Sequence, residues 1–294
     1  MTSPSKTFYA FLKAAVLSAA FLAFPPGLCA QVRVCAAPVP EKSDTVRLLV
    51  LGDLMMHTRQ LSFDSRDFLR DLEPLLASAD LAIGGAEFTL AGPPYLGYPA
   101  FSSPDSYPEN LRASGVDVLL LANNHILDHG SRGFARTLRH IGEPYCGAGA
   151  DSASFAAHNP LFVRVRGMKI ALVNFTYGTN CGADRPWPKA ARMKRDEVAL
   201  QMLRASEADF VLVLPHWGTE YEFRHSPEQE QWAEFLVEQG AGAVVGAHPH
   251  VVQDTVAMAG VPVIYSVGNA VSNMSAPGTR LSLAVELVLL QDNP

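Results

Sequence analysis

The chain has little of what a nucleic-acid-binding protein would need. Only 18% of its 294 residues are charged, and acids outnumber bases, which gives a formal net charge of −6. No long run of Lys and Arg is present, so the sequence does not indicate a nucleic-acid partner. Internal repeats and long low-complexity tracts are also absent. The 48% hydrophobic content supplies enough core for one large or two small globular domains.

The first 36 residues have the pattern of a secretory signal. Lys6 and Lys13 precede an apolar stretch at residues 14–24, and a Pro-Pro-Gly break follows it. The stretch is shorter than the roughly 20 residues of a spanning helix, and an uncleaved signal anchor is the alternative. We expect an exported protein of the periplasm or cell envelope, with a signal peptide or anchor at 1–36, a linker at 37–45 and a folded domain at 46–294.

Cysteine is scarce, with four residues in the whole chain. Cys29 and Cys35 lie in the expected signal, which leaves Cys146 and Cys181 in the domain. An even pair in an exported protein can form a disulfide. A Cys146–Cys181 bond is therefore one hypothesis. Two free thiols are the alternative, because a bond requires the two Cα atoms to come within about 7 Å.

Short apolar runs alternate with helical patterns along the domain. The runs predict buried strands, and apolar residues at helical spacing predict amphipathic helices. We expect strands at 46–51, 80–83, 116–121, 161–165, 169–174, 209–214, 241–245, 255–258, 261–265 and 281–290, and helices at 65–78, 108–113, 132–141, 195–207 and 227–239. A turn at 166–168 resembles that of a hairpin, so antiparallel pairing is expected. The long loop at 91–108 is expected to form a wall of a site.

Polar side chains follow most of these strands, where ligand sites of open α/β sheets lie. Each of these side chains has a structural alternative. Asp and Asn are favoured as N-caps of helices, and the carboxylates and histidines of loops are often simply solvated. In residues 246–253, His248 and His250 would project to the same side if the segment were extended. His57 is expected to flank the site. The candidate metal ligands are Asp53, Glu87, Asn124, His216, His248 and His250.

This set of ligand types suits a borderline divalent ion. Two carboxylates, an amide oxygen and three imidazoles fit Zn, Mn or Fe. They exceed one tetrahedral site and therefore suggest two ions. Two ions about 4 Å apart would activate water and hold a phosphate or another oxyanion.

The order of the candidate ligands also matches that in calcineurin-like metallophosphoesterases. Together, GDLMMH, IGGAEFTLAG, LANNHILDHG, PHWGTEYE, GAHPHVVQ and YSVGNAV resemble the poly-gamma-glutamate capsule-synthesis CapA family over roughly residues 46–275. The chain differs at three places. Gly85 and Ala86 precede Glu87 where the family usually has Asn-Leu, Ala270 replaces an aromatic residue, and Met55 stands where ordinary phosphoesterases have a metal-site histidine.

The resemblance implies a four-layer α/β/β/α sandwich of the metallophosphoesterase type, with mixed sheets and the site at the strand ends. It implies that His125, next to Asn124, protonates or stabilises a leaving group. Asn123, Glu220 and Asn269 are the candidate substrate-binding residues.

The function that the resemblance implies is a role in capsular poly-gamma-glutamate synthesis or export. Two classes fit that role. The first is a metal-dependent hydrolase that acts on a phosphoester of the envelope or on an amide of the polymer. The second is a non-enzymatic polymer-binding or assembly partner. The expected partners are an anionic polymer or phosphoester substrate and membrane-bound capsule synthesis proteins.

Overall fold

Two β-sheets form the centre of the protein. The computed structural model describes residues 8–18, 33–35, 45–182 and 186–291. Within that part, the first sheet contains β1 (Phe8–Ser18), β2 (Arg33–Cys35), β3 (Thr45–Leu54), β4 (Leu81–Gly85), β5 (Val118–Leu120), β6 (Tyr145–Cys146), β15 (Asn269–Val271) and β16 (Leu281–Gln291). The second contains β8 (Leu161–Val165), β9 (Met168–Thr176), β11 (Phe210–His216), β12 (Ala243–Val245), β13 (Thr255–Met258) and β14 (Val261–Ile264). A small separate pair joins β7 (Ala148–Gly149) to β10 (Lys189–Ala190).

Both sheets mix parallel and antiparallel pairs. The first has the order β2-β1-β16-β3-β4-β5-β6, with β15 beside the end of β3. Strands β3 to β6 are parallel to one another, whereas β16 is antiparallel to both of its neighbours, β3 and β1. The second has the order β13-β14-β12-β11-β9-β8, and its parallel centre is flanked by the hairpins β8–β9 and β13–β14. The expected hairpin at 161–174 is therefore confirmed.

Alternation along the central strands explains how the sheets stack. In β3, Leu48 and Val50 enter the core between the sheets, while Leu49 and Leu51 point to the outer side of the first sheet. In the second sheet, residues of β11 divide in the same way between the inner core and an outer cluster. Successive side chains of a strand alternate in direction, so a strand covered on both faces is apolar throughout.

Helices cover both outer faces. On the first sheet lie α2 (Ser106–Ala113) and α3 (Gly130–His140), and on the second lie α5 (Arg195–Ala205) and α6 (Pro227–Glu238). Fully buried side chains such as Phe134 and Leu236 anchor them, and each stabilises the fold by roughly 1.5–3 kcal/mol relative to exposure. The layers are helix, sheet, sheet, helix, and the expected four-layer sandwich is confirmed.

Two helical segments differ from expectation. The helix expected at 65–78 is reduced to α1 (Glu73–Ala77), which 3₁₀ turns precede. Pro74 explains the difference, because proline lacks a backbone N–H and is tolerated only in the first turn of an α-helix. Conversely, α4 (Ser152–His158) was not expected. It begins where the Asp151 side chain accepts a hydrogen bond from the backbone N–H of Ser154, a favourable N-cap.

Only part of the expected signal lies within the described residues. Its residues 8–18 form β1, which pairs antiparallel with β16, and residues 33–35 form β2. The rest of 1–36, and the linker up to residue 44, lie outside the described part, so the signal stays a prediction. Among the described residues, no helix has both the length and the apolar character needed to cross a bilayer.

The two cysteines of the domain are free thiols in the structure. Cys146 is buried in β6, where its Sγ donates to the carbonyl of Leu172 at 3.3 Å. Cys181 is exposed in the loop that follows β9. The disulfide hypothesis is therefore corrected, because one thiol faces the core between the sheets and the other faces solvent.

Thiol labelling of native protein checks this arrangement. We expect an alkylating reagent to modify Cys181 rapidly and Cys146 only after unfolding. Burial shields the Cys146 thiol and raises its pKa to about 12, which suppresses the reactive thiolate. Mass spectrometry of the two peptides gives the readout. Protection of both thiols until a reductant is added would contradict the free-thiol structure.

Gly52 allows β15 to approach β3. A Cβ at this position would lie 1.8 Å from the carbonyl oxygen of Gly268. That same carbonyl accepts a hydrogen bond from the backbone N–H of Asp53 at 3.2 Å. Any side chain at residue 52 would therefore push β15 away from the end of β3.

We expect Gly52→Ala to lower the free energy of unfolding by about 2 kcal/mol or more, because a close-packed core does not absorb an added methyl group. Denaturant unfolding followed by circular dichroism measures the loss. Gly182→Ala is the matched control, since no atom lies within 4 Å of a Cβ there. Equal stability of the two variants would show that β15 is not held in this position.

Candidate metal centre

The carboxyl ends of the parallel strands bring the six candidate ligands to one edge of the sandwich. Asp53 is the next-to-last residue of β3, and His216 is the last residue of β11. The other four ligands follow the ends of β4, β5 and β12. All six side chains are buried, with at most 4% of any residue exposed. Since strands of both sheets contribute, the ligands meet only because the two sheets stack with these edges aligned.

Glu87 lies at the centre of the group. It is completely buried, and neither carboxylate oxygen has a hydrogen-bond partner. Its Oε1 lies 3.8 Å from Nε2 of His216, and its Oε2 lies 3.8 Å from Nδ1 of His250. Burial, and next the charge of Asp53, raises the pKa of Glu87 well above its usual value. A carboxylate in this position needs a nearby positive charge to remain ionised.

Asp53 lies next to Glu87. Its Oδ2 accepts a hydrogen bond from the backbone N–H of His248 at 3.2 Å, whereas Oδ1 has no partner. Its Oδ1 is also 3.7 Å from Nδ1 of His216, and its Oδ2 is 3.6 Å from Nδ1 of His250. Burial raises the pKa of Asp53 to about 7 despite the stabilising backbone hydrogen bond.

The three imidazoles are held in the neutral form that binds metal ions. Burial lowers the pKa of His248 to about 3 and that of His250 to about 4. Burial, reinforced by the neighbouring imidazoles, lowers the pKa of His216 well below its usual value. The rings of His216 and His248 have centroids 4.8 Å apart, and Nδ1 of His248 has no partner. Neutral imidazoles at such spacing can share metal ions.

The backbone that carries His248 and His250 is not extended. The φ angles are +101° and +60°, in the left-handed region that residues with a Cβ rarely adopt. The two rings reach one centre through this coiled loop and not through the alternation of a strand. Asp53 holds the loop through the N–H of His248, and the N–H of Tyr221 donates to the carbonyl of Pro249 at 2.9 Å. Such strained conformations concentrate at functional sites.

The arrangement forms overlapping sets of ligating atoms that could hold a metal ion. Within each set, the ligating atoms lie within 4.8 Å of one another. The sets are Glu87 with His216 and His248, Asp53 with Glu87 and His250, and Glu220 with His248 and His250. The unpartnered oxygens of Asp53 and Glu87 and the unpartnered nitrogen of His248 are the atoms that a cation would satisfy, so the donor set fits a divalent metal.

Asn124 contacts the metal-ligand group through its amide. Its Oδ1 accepts a hydrogen bond from Nε2 of His216 at 2.8 Å. Its backbone carbonyl accepts one from the N–H of Asn180, also at 2.8 Å. Asn180 comes from the loop after β9 and was not singled out from the sequence, because nothing local distinguishes it from other loop amides.

His125 lies beside the same centre and is positioned by a carboxylate. Its Nδ1 is 2.8 Å from Oδ2 of Asp128, and its Nε2 is 3.9 Å from Oε1 of Glu87. The edge of the ring packs on Phe101, with centroids 4.7 Å apart. Asp128 Oδ2 also accepts the backbone N–H of Phe101, which ties the loop at 91–108 to this histidine. Asp128 was not among the predicted site residues, although its i+3 spacing from His125 in the sequence was a usable signal.

The three candidate substrate-binding residues differ in position. Asn123 is buried, donates to the carbonyl of Ala86 and accepts the N–H of His125, so it shapes the loop. Asn269 is buried behind His250, where its Oδ1 lies 2.9 Å from Nδ1 of that ring. These contacts with the protein give both amides an orienting role. Glu220 differs from these two amides because it lines an open cavity beside the metal-ligand group.

That cavity leads to the metal-ligand group and has a volume of about 300 Å³. Met55, Glu220 and His250 contribute to its wall. His57 also lines it, and its Nε2 has no hydrogen-bond partner. Tyr98 lines it from the loop at 91–108, as expected for a loop that forms a site wall. His57 therefore flanks the centre without belonging to the sets of ligating atoms.

Comparison with known proteins identifies the family of this chain. Residues 47–274 match the family described as bacterial capsule synthesis protein PGA_cap. The chain is 29% identical over 278 residues to the capsule biosynthesis protein CapA of Bacillus anthracis, covering 87% of this chain and 67% of that protein. It is 27% identical over 274 residues to the PGA biosynthesis protein CapA of Bacillus subtilis, covering 83% and 67%.

A solved structure with a similar fold is that of a protein provisionally named a 5′-nucleotidase, from Staphylococcus aureus. The TM-score is 0.54, the sequence identity is 13%, and the match covers 85% of this chain and 55% of the other. At this identity the similarity concerns the fold alone. It confirms the expected metallophosphoesterase-like fold.

The pKa of Asp53 predicts how metal-free protein depends on pH. Folded Asp53 holds its proton up to about pH 7, whereas the unfolded residue releases it near pH 3.8. The folded state therefore binds more protons in this window, and its stability falls as pH rises. We expect the free energy of unfolding of the protein, minus that of Asp53→Asn, to fall by roughly 2–3 kcal/mol between pH 5 and pH 8.

Denaturant unfolding of both chelator-treated proteins at several pH values checks this expectation. Subtraction of the variant removes the opposite effect of the buried histidines, which is common to the two proteins. A difference that stays constant with pH would show that Asp53 is not the buried, proton-retaining carboxyl described here.

Proposed function

Because the chain belongs to the bacterial capsule synthesis protein PGA_cap family and is CapA-like, we propose that it acts as a metal-dependent hydrolase in capsular poly-gamma-glutamate synthesis or export. The substrate class is a phosphoester of the envelope or an amide of the polymer itself. The signal pattern at residues 1–36 supports export to the periplasm or cell envelope, where membrane-bound capsule synthesis proteins would be its partners.

The observation that carries the proposal is the environment of Glu87. A fully buried carboxylate without a hydrogen-bond partner destabilises a fold unless a cation compensates for it. Glu87 belongs to two of the sets of ligating atoms, one with His216 and His248 and one with Asp53 and His250. Glu87 would therefore help to hold divalent ions such as Mn, Zn or Fe together with the other members of these two sets.

Bound ions would supply an activated water and positive charge for an oxyanion. The protein supplies the positions of the other groups. His216 would be held for ligation by Asn124, and the ring of His250 is oriented by Asn269. Such outer contacts fix the direction of each ligand and are a regular part of metal sites.

His125 is the group that we assign to the leaving atom. Asp128 accepts a hydrogen bond from Nδ1, which leaves Nε2 directed at the metal-ligand group. As the bond to the leaving oxygen or nitrogen breaks, Nε2 of the protonated ring would pass its proton to that atom. His125 also lines the cavity of about 300 Å³, so a substrate can reach it. General acid catalysis of this kind contributes about 10²–10⁴-fold in rate.

One observation favours a second candidate function. Met55 stands where ordinary phosphoesterases of this fold carry a metal-site histidine, and it is buried, with 1% of its surface exposed. A thioether is a poor ligand for a hard ion such as Mn, and it cannot replace the imidazole of a histidine as a general base or acid. A non-enzymatic partner that grips the polymer through its anionic groups is therefore the competing function.

Paired alanine substitutions separate these functions. We expect His125→Ala to keep its metal content and melting temperature but to lose about 10²–10⁴-fold in turnover, because His125 would donate a proton and not ligate. His216→Ala should lose metal. The measurements are metal stoichiometry, thermal unfolding and hydrolysis of a generic phosphodiester and of a γ-linked oligoglutamate, on the same preparations.

His140→Ala is the control, since this histidine lies 41% exposed at the end of α3. Equal loss of metal in His125→Ala and His216→Ala would contradict the role of His125. Metal-loaded wild-type protein without turnover on either substrate class, but with polymer binding that His216→Ala weakens, would favour the non-enzymatic function.

A further inference from the structure

A second concave surface lies beside the metal centre. It has a volume of about 630 Å³, and we call it the basic groove because Lys189, Arg192 and Lys194 line it. Phe134 and Trp187 are among the apolar residues of its wall. The volume is within the range of small-molecule binding sites and is larger than an inorganic anion needs.

The basic groove carries a net positive charge on an acidic protein. Glu197 lies 3.0 Å from the ammonium of Lys189 and 3.3 Å from that of Lys194, so one carboxylate serves two lysines. Arg192 has no carboxylate partner among the described residues, and it donates to the hydroxyl of Thr179 at 3.0 Å. Among the described residues that line the groove, three cations therefore face one acid, in a chain whose formal net charge is −6.

Backbone pairing fixes Arg192 at the same sheet edge as the metal-ligand group. The N–H of Thr176, the last residue of β9, donates to the carbonyl of Ala191 at 2.9 Å. The N–H of Met193 donates to the carbonyl of Thr176 at 2.8 Å. Since these two hydrogen bonds lie on either side of residue 192, they fix the backbone of Arg192 beside the end of β9.

A single loop, residues 177–180, separates the basic groove from the metal-ligand group. Tyr177 lines the groove, and its ring centroid is 4.5 Å from that of His248. Asn180 donates its backbone N–H to the carbonyl of Asn124, one of the candidate ligands. Thr179 receives the hydrogen bond from Arg192. A chain-like ligand could therefore occupy both sites by crossing one loop.

We propose that the basic groove binds the carboxylate-bearing chain of an anionic polymer next to the group held at the metal centre. This inference rests on the proposed function. The planar guanidinium of Arg192 can bind a carboxylate through two parallel hydrogen bonds, and the two lysines add flexible donors. The apolar wall around Trp187 suits the methylene groups between successive carboxylates. The groove thus distinguishes a polycarboxylate from a compact phosphoester.

Binding of defined oligomers tests this inference without any turnover. The probe is a synthetic γ-linked oligoglutamate, and the uncharged γ-linked oligoglutamine of equal length is its reference. Titration calorimetry on the chelator-treated full chain measures both. We expect only oligoglutamate to bind, with an affinity that falls as salt rises, because exposed charges are screened.

Substitutions locate the binding. Arg192→Gln and Lys194→Gln should each weaken oligoglutamate binding about two- to fivefold, the range for single exposed ion pairs, and together by more. Arg164→Gln is the matched control. Arg164 is an exposed cation on β8, and it lies opposite Lys169 in the β8–β9 strand register. Lys169 is at the end of β9 that is remote from the groove, so the loss of the Arg164 charge should leave binding unchanged. Circular dichroism and melting temperature establish folding. Lys194 is exposed, which makes its variant safe for the fold.

The outcomes are distinct. Equal weakening by Arg164→Gln, equal binding of oligoglutamine, or displacement by inorganic phosphate at the same concentration as the oligomer would each overturn the inference. A second outcome is that oligoglutamate binding needs metal and is lost in His216→Ala but not in Arg192→Gln. That result would overturn polymer binding at the basic groove and leave the proposed function in place. If oligoglutamate binds at the basic groove but the protein hydrolyses neither substrate class, the inference about the groove is supported and the proposed hydrolase function is overturned.

Discussion

Two buried carboxylates that need a cation are the constraint on which the rest of the structure depends. Glu87 and Asp53 lie without solvent at the centre of the sandwich edge, and three of their four oxygens have no hydrogen-bond partner. Burial disfavours the charged form of both carboxylates, and this desolvation is also the largest cause of their raised pKa values. An apolar pair would be more stable there. Two such acids, surrounded by neutral imidazoles, form a set of donors that a bound cation would satisfy.

Both sheets are needed to build that environment. The first provides the acids and Asn124, the second provides His216, and the loop after β12 adds the remaining two imidazoles. The contact of β15 with β3, which Gly52 allows, places Asn269 behind His250. The left-handed backbone of His248 and His250 is a local cost, which the hydrogen bond to Asp53 offsets. The hydrophobic clusters of the four layers stabilise the fold and offset the cost of the buried, unpartnered polar atoms at the site.

The same sheet edge relates the metal-ligand group to the basic groove. The loop at 177–180 lies between the two, so a movement of Tyr177 would affect both. The groove is positive while the protein as a whole is negative, and this asymmetry concentrates anions where the chemistry is proposed.

Local patterns in the sequence determined the strands, most helices and the polar residues at their ends, because periodicity and burial act over a few neighbours. Asp53, Glu87 and His216 could be named on that basis, whereas the role of His125 came from the family resemblance. Tertiary structure decided the rest. Asn180 reaches Asn124 only after the two sheets stack, because the loop that follows β9 and the loop that follows β5 belong to different sheets. Cys146 and Cys181 face different environments, and His248 adopts a conformation that no local preference favours. These features depend on contacts between residues distant in the chain, which sequence spacing does not encode.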